Sequence, residues 1–318
     1  PPAIPLSGVL DMVGSEVVRR HPLQPFDTRN FEVHRPFSFD RGALEGARAS
    51  MREPVGPPAG APSLPEGPLP PQEKSDVDLA DLVAFVVSPT QAFLRQRLGV
   101  RIPELDEDVA DALALELDPL AKWSLGERML TSRLRGTAPA DFRATEWRRG
   151  TLPPFALGGA ALAGVESTVD ALAHATRPLL AAEPDTVDVA VDLGDGRRLT
   201  GTVPGVHDGK IVRTSFSRLG PKHRLSAWVH LLGVAATRGA PVQALVTGRG
   251  SGSRPTWRST LSSPGDALEQ LRILVDLRDA GSIAPLPIAE GATSAYAQRR
   301  FGGGSEEEAL ASAAYQWS

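Results

Sequence analysis

The chain has no cysteine, only four lysines and two tyrosines, and its aromatics amount to 5% of 318 residues. The missing thiols exclude disulfides, thiolate metal sites and a cysteine nucleophile, and they suit a reducing cytoplasm. No apolar run reaches membrane-spanning length, and no charged-then-apolar leader opens the chain. The six histidines, His21, His34, His174, His207, His223 and His230, fall into no zinc-binding spacing. The formal net charge is −4, the wrong sign for a small autonomous nucleic-acid binder, although a local basic groove remains compatible with it. The basic residues other than Lys74, Lys122, Lys210 and Lys222 are arginines, a bias that suits a GC-rich genome better than selection for guanidinium chemistry.

What is present reads as two globular stretches around a linker. Residues 1–52 form a short mixed segment. Residues 53–72 are rich in Pro, Gly and Ala with almost no large apolar side chain, so they predict an extended linker. Residues 73–290 carry the strong periodicity, and 291–318 form a tail. The chain opens on Pro1 and stops soon after Trp317, which reads as a piece of a longer protein.

Within 73–290, Leu79, Leu82, Val83 and Val86 mark a helix behind Asp78. Ser88-Pro89-Thr90-Gln91 predicts a capped helix start with Phe93, Leu94 and Leu98 on one face and Gly99 as its stop. More helix is expected over 109–117, 123–134 and 160–182. Alternation of Val187, Val189, Val191 and Leu193 predicts a half-buried strand. A second strand is expected over 198–206 and a third over 210–216, with Gly-containing turns between them. A helix over 222–236, a strand over 242–247 and a helix from Ser263-Pro264 to Asp279 complete the order. Ser305 and Glu308 form a capping box for a last short helix. Trp123, Trp228 and Trp257 read as core. Gly248-Arg249-Gly250-Ser251-Gly252 lacks the Gly-Lys-Ser/Thr ending of a P-loop and reads as a flexible loop.

Two strings resemble the RecC family closely. One is His21-Pro22-Leu23-Gln24-Pro25-Phe26 with Arg29-Asn30-Phe31 and Ser38-Phe39. The other runs from Asp78-Leu79-Ala80-Asp81-Leu82 through Ser88-Pro89 to Phe93-Leu94-Arg95-Gln96-Arg97-Leu98-Gly99-Val100. Weaker similarity follows at 147–158 and 223–232. The resemblance implies the end of a helicase-like domain over 1–52. It implies an α/β domain over 73–290: a degenerate PD-(D/E)xK nuclease-like, restriction-endonuclease-like core with added helices. The predicted strand and helix order matches that core.

In active members of that fold, an Asp on the second strand and an Asp-x-Lys on the third gather Mg²⁺ and activate water. The resemblance places Pro204, Arg213 and Ser215 at those positions, and Pro153-Pro154 where a His ligand would follow Gly-Thr-Leu. Arg224 and Trp228 stand for the fold's helical Gln and Tyr. The resemblance therefore implies no catalytic residue, no metal and no cofactor. It implies RecB and RecD as partner subunits, single- and double-stranded DNA within the complex, a share in duplex splitting and in Chi recognition, and a cytoplasmic setting without a membrane.

Arg95 with Arg97, and Trp147 with Arg148 and Arg149, are the candidate DNA contacts, because a guanidinium beside an aromatic ring can meet phosphate and stack on a base. Each is equally readable as a solvated helix face. Asp188 and Asp192 share a strand face but sit roughly 13 Å apart, too far for one metal. The rival expectation is an active Mg²⁺-dependent nuclease with ligands moved to Glu166, Asp192 or Asp208. A third is an unrelated interaction domain with the same strand order.

Overall fold

The computed structural model describes residues 10, 12, 13, 18, 21–32, 34, 36–52, 67–100, 115–251 and 254–317. It divides into two compact units, 1–66 and 67–318. The expected helix at 109–114 and most of the expected linker, 53–66, lie outside the described residues. Residues 115–117 carry no helix.

The described residues of the first unit include a 3-10 turn, Thr28–Phe31, and a helix, α1 (Arg41–Ser50). Aspartates cap both: the Asp27 carboxylate accepts from the Arg29 N–H at 3.0 Å, and Asp40 accepts from Ala43 N–H at 3.1 Å. Asn30 is buried and donates its side-chain amide to the Gln24 and Pro25 carbonyls.

The second unit is built on a six-stranded mixed sheet: β1 (Val77–Asp78), β2 (Asp185–Asp192), β3 (Arg198–His207), β4 (Lys210–Arg218), β5 (Gln243–Arg249) and β6 (Thr256–Ser262). β2 runs antiparallel along one edge of β3. The other edge is divided. β1 pairs parallel with Leu199 and Thr200 at its start, and β4 pairs only at Val206↔Ile211 and His207↔Lys210 at its end. β4 then runs parallel to β5, which forms an antiparallel hairpin with β6. The sheet thus opens between β3 and β4 beyond the turn that joins them.

Helices cover both faces. α2 (Leu79–Val87) follows β1 directly, because the Asp78 carboxylate caps it by accepting from Ala80 and Asp81 N–H. α3 (Pro89–Ala92) continues as a π turn, Phe93–Arg97. α2, α7 (Pro221–Arg238) and α8 (Ala267–Ile283) share a core with Val189, Leu199 and Ile211 of the sheet. On the other side, α4 (Pro119–Leu134), α5 (Pro139–Arg149) and α6 (Ala156–Thr176) enclose a second cluster that takes in Phe216 of β4. Burying a Leu such as Leu231 or Leu271, both fully enclosed, is worth roughly 1.5–3 kcal/mol each. Two helices, α9 (Glu290–Phe301) and α10 (Glu306–Trp317), form the C-terminal hairpin.

Several expectations need correction. β1 and β6 were not expected: two residues are too few for a period, and β6 alternates only weakly between half-exposed and exposed positions. Gly248 and Arg249, read as loop, close β5 instead. The Ser88 side chain makes no cap hydrogen bond; Asp78 and Asp118 cap their helices where Ser88 does not. The helix expected over 160–182 runs from Ala156 to Thr176 and passes into a 3-10 turn. Trp123 and Trp257 are 38% and 46% exposed rather than core. The capping box of the last helix is present, with Ser305 N–H donating to Glu308 Oε2 and Glu308 N–H to Ser305 Oγ.

Candidate functional site

Beside the opening between β3 and β4, against β4, β5, α2 and α7, lies a cavity of about 470 Å³. α2 roofs it with Val83 and Val87, and the far ends of β4 and β5 and the start of α7 close it with Ser215, Val246, Lys222 and His223. Arg213 and Ser215 both line this cavity; Pro204 does not.

Pro204 lies instead in a β-bulge. The register steps from Val187↔Val203 to Asp185↔Val206, so Pro204 and Gly205 together face Thr186. A bulge is where a strand tolerates proline, which has no N–H for the ladder. Gly205 takes φ +66°, and a Cβ there would come within 2.9 Å of Arg213 Nη1. The Arg213 guanidinium therefore rests against the bulge and donates to the Val212 carbonyl at 3.0 Å and to the Gly205 carbonyl at 3.5 Å. Among the described residues no carboxylate pairs with it. Burial lowers its pKa from the ordinary guanidinium value.

Ser215 is also engaged. Its hydroxyl donates to Glu127 Oε2 at 3.1 Å, and the same oxygen accepts the Phe216 N–H at 2.7 Å. Glu127 is thus an acid near the cavity, but it points at β4 and is absent from the cavity wall. His223 accepts the Gly220 N–H on Nδ1, and burial, followed by the Lys222 charge, lowers its pKa. His230, on α7, is held neutral down to about 4, first by burial and then by the Arg213 charge.

A magnesium ion needs several convergent hard oxygen ligands, normally including carboxylates. The cavity wall supplies hydroxyls, a guanidinium, an ammonium and an imidazole, with no Asp or Glu. An ion there would sit beside an unneutralised Arg213. The residues present do not fit magnesium. Among the described residues no group of three acids or histidines is placed to hold a metal. The three relocated-ligand candidates do not converge either. Asp192 ends β2 opposite Arg198, whereas Asp208 follows the opposite end of β3, ten residues from Arg198 or roughly 30 Å away. Glu166 on α6 is clamped by Arg133 and Arg143 at 2.9 and 3.0 Å.

The expected DNA-contact residues occupy two other places. Arg95 is exposed and lines a cleft of about 1180 Å³ beside Lys74, Arg197 and Arg278. Arg97, two residues on, donates to the Ser282 and Pro70 carbonyls and so clips the incoming chain to the end of α8. Trp147, 43% exposed, rests its ring on Gly158, where a Cβ would clash at 2.4 Å. Arg149 leans on Glu146 at 3.5 Å, and Arg148 points to solvent. Glu146 is buried and held by a bidentate Arg128 fork. Phe155, 89% exposed with φ +50°, lies near this cluster and was not expected. Nothing in the sequence signals a positive φ at a phenylalanine. Glu127 was missed for a similar reason: its partner, β4, is distant in sequence.

Comparison with known proteins bears on the whole chain. The family model for the RecC C-terminal domain matches residues 74–301. The RecBCD enzyme subunit RecC of Mycobacterium tuberculosis is 39% identical over 317 residues, covering 95% of this chain and 28% of that protein. Its counterpart in Mycolicibacterium smegmatis is 37% identical over 323 residues, covering 97% and 29%. The chain therefore spans less than a third of these relatives. A crystal structure from Eubacterium rectale, provisionally assigned as an exonuclease, aligns with TM-score 0.36 and 9% identity over 66% of this chain and 83% of that one. A likeness of that size carries no argument about chemistry.

Proposed function

The chain belongs to the RecC family, and from that membership we propose that it is the C-terminal part of a RecC subunit in a RecBCD-type helicase–nuclease, exodeoxyribonuclease V, serving recombinational repair of DNA breaks in the cytoplasm. In this reading it is a non-catalytic scaffold. Residues 1–52 end the helicase-like domain, 53–72 link, 73–290 form the nuclease-like domain and 291–318 its tail. It assembles with RecB and RecD, helps part the duplex, and supports Chi recognition by holding the helicase-like domains in place. Among the described residues, no helix is long and apolar enough to cross a membrane.

The observation that carries the non-catalytic half is the wall of the β3–β4 cavity, where, among the described residues, Arg213 stands without a carboxylate and no Asp or Glu lines the space. Such a wall braces the fold but has no means of activating water through a cation. DNA contact in this reading falls to Arg95 and Arg148, whose side chains are open, with Arg97, Trp147 and Arg149 holding the surfaces around them.

Two measurements test it. Co-expression with RecB and RecD should return a three-subunit complex when the chain is joined to the rest of its subunit; failure to copurify either one removes the scaffold role. Incubation of the purified chain with linear duplex DNA and Mg²⁺ should leave the DNA intact. Cleavage that disappears with Asp208→Asn, Asp192→Asn or Glu166→Gln would establish the relocated-ligand nuclease instead.

A further inference from the structure

We infer that the β3–β4 cavity is a binding site for an amphipathic carboxylate, with the carboxylate on Arg213 and the apolar body under α2. The inference does not depend on DNA binding or on assembly with other subunits.

Three observations carry it. The first is size: about 470 Å³ lies within the range of small-ligand sites. The second is the wall. Val83, Val87, Leu219 and Val246 are apolar, and the polar residues among them are hydroxyls and bases. The third is charge. Arg213 is desolvated enough to lower its pKa, yet among the described residues its partners are backbone carbonyls alone, Val212 O and Gly205 O. A partly buried cation without an anion is costly, and a charge-assisted bond to a ligand carboxylate relieves that cost.

The neighbouring groups leave room for an anion. Glu127 is occupied by Ser215 Oγ and the Phe216 N–H, and Glu290 by the Lys222 N–H at 2.6 Å; neither lines the cavity. His223 accepts at Nδ1, so its proton sits on Nε2 when neutral and that N–H can donate. Lys222 adds a positive charge at the wall. An inorganic phosphate lacks the apolar body that Val83 and Val87 require, and a neutral alcohol leaves Arg213 unanswered. The carboxylate can come from a free alkanoate or from an apolar protein segment ending in, or carrying, an acid.

The test is calorimetric titration of the full 318-residue chain with octanoate, octanol and the peptide acetyl-Leu-Leu-Glu-amide. Octanoate or the peptide should bind about tenfold or more tightly than octanol, the worth of one charge-assisted hydrogen bond. Tighter octanoate assigns a free small molecule; tighter peptide assigns a protein segment. Arg213→Met should abolish that preference, bringing octanoate and the peptide to the level of octanol. Ala84→Trp, at the exposed cavity rim, should block all three ligands without touching the buried core, and it serves if Arg213→Met fails to fold. Equal binding of octanoate and octanol, no binding of any of the three, or undiminished binding in Ala84→Trp would overturn the inference.

Discussion

Two arginines, one in a turn at the end of the sheet and one within it, show opposite solutions to the same problem. Arg197, in the turn between β2 and β3, is 5% exposed and holds Asp195 at 2.8 Å and Asp279 at 2.7 Å. Its pKa is raised, first by the Asp195 hydrogen bond. Arg213, in the middle of β4, is partly buried with no acid beside it, and its pKa is lowered. Arg197 ties a turn to α8 and is complete. Arg213 fills a space with its charge unanswered. Here the guanidinium with its carboxylates serves the scaffold, and the one without them lines a cavity.

The comparison can be broken at four points. The largest effect should come from Arg197→Met, which strands Asp195 and Asp279 and should cost about 2–3 kcal/mol in urea unfolding; an unchanged midpoint would erase the distinction. Gly205→Ala should cost about 1–2 kcal/mol, because φ +66° strains any Cβ and this one meets Arg213. The double variant with Arg213→Ala should recover the steric part but not the backbone part.

Asp195→Asn should flatten the acid limb of stability. The Arg197 hydrogen bond, with Lys74 behind it, holds the Asp195 carboxyl well below its usual range. That contribution is complete above the unfolded pKa of about 4 and is lost as pH falls towards the folded value. Wild type should therefore weaken more steeply below pH ~4 than the variant. Arg213→Met should lose no stability and should gain up to about 1 kcal/mol, because an unanswered charge is removed and no pair is broken. Its signature lies in His230, whose pKa of about 4 reflects burial first and Arg213 second. In the variant the His230 resonances should titrate at higher pH, while burial keeps them below the free value of about 6.5. Between those two pH values the unfolded chain binds a proton that the folded one refuses, so wild-type stability falls on acidification through this window. The variant should lose less there, and an unmoved His230 would show that the two side chains do not sense each other.

The sequence made the repeating elements legible. Val187, Val189 and Val191 alternate as they point, and α7 and α8 show their apolar faces plainly. Pro204 falls on β3 and Arg213 and Ser215 on β4, the strands expected for them, and Arg213 and Ser215 do meet at one cavity. What could not be read is whatever depends on two strands parting. The bulge that carries Pro204 away from the cavity is set by pairing with β2, and the gap that α2 covers is set by β1 taking part of an edge of β3. Neither leaves a periodic trace. β6 was hidden because an exposed edge strand has no buried side to announce it, and Phe155 because backbone strain has no sequence code.

The bulge at Pro204 and Gly205 also sets how this surface can change with time. An aspartate at 204 alone would put an acid on a strand whose register is displaced, with a left-handed glycine beside it and a guanidinium lying on that glycine. Each single change at 204, 205 or 213 meets the other two as obstacles, so the three positions are free to change together more readily than one at a time. The geometry ties their fates to one another although no bond joins all three.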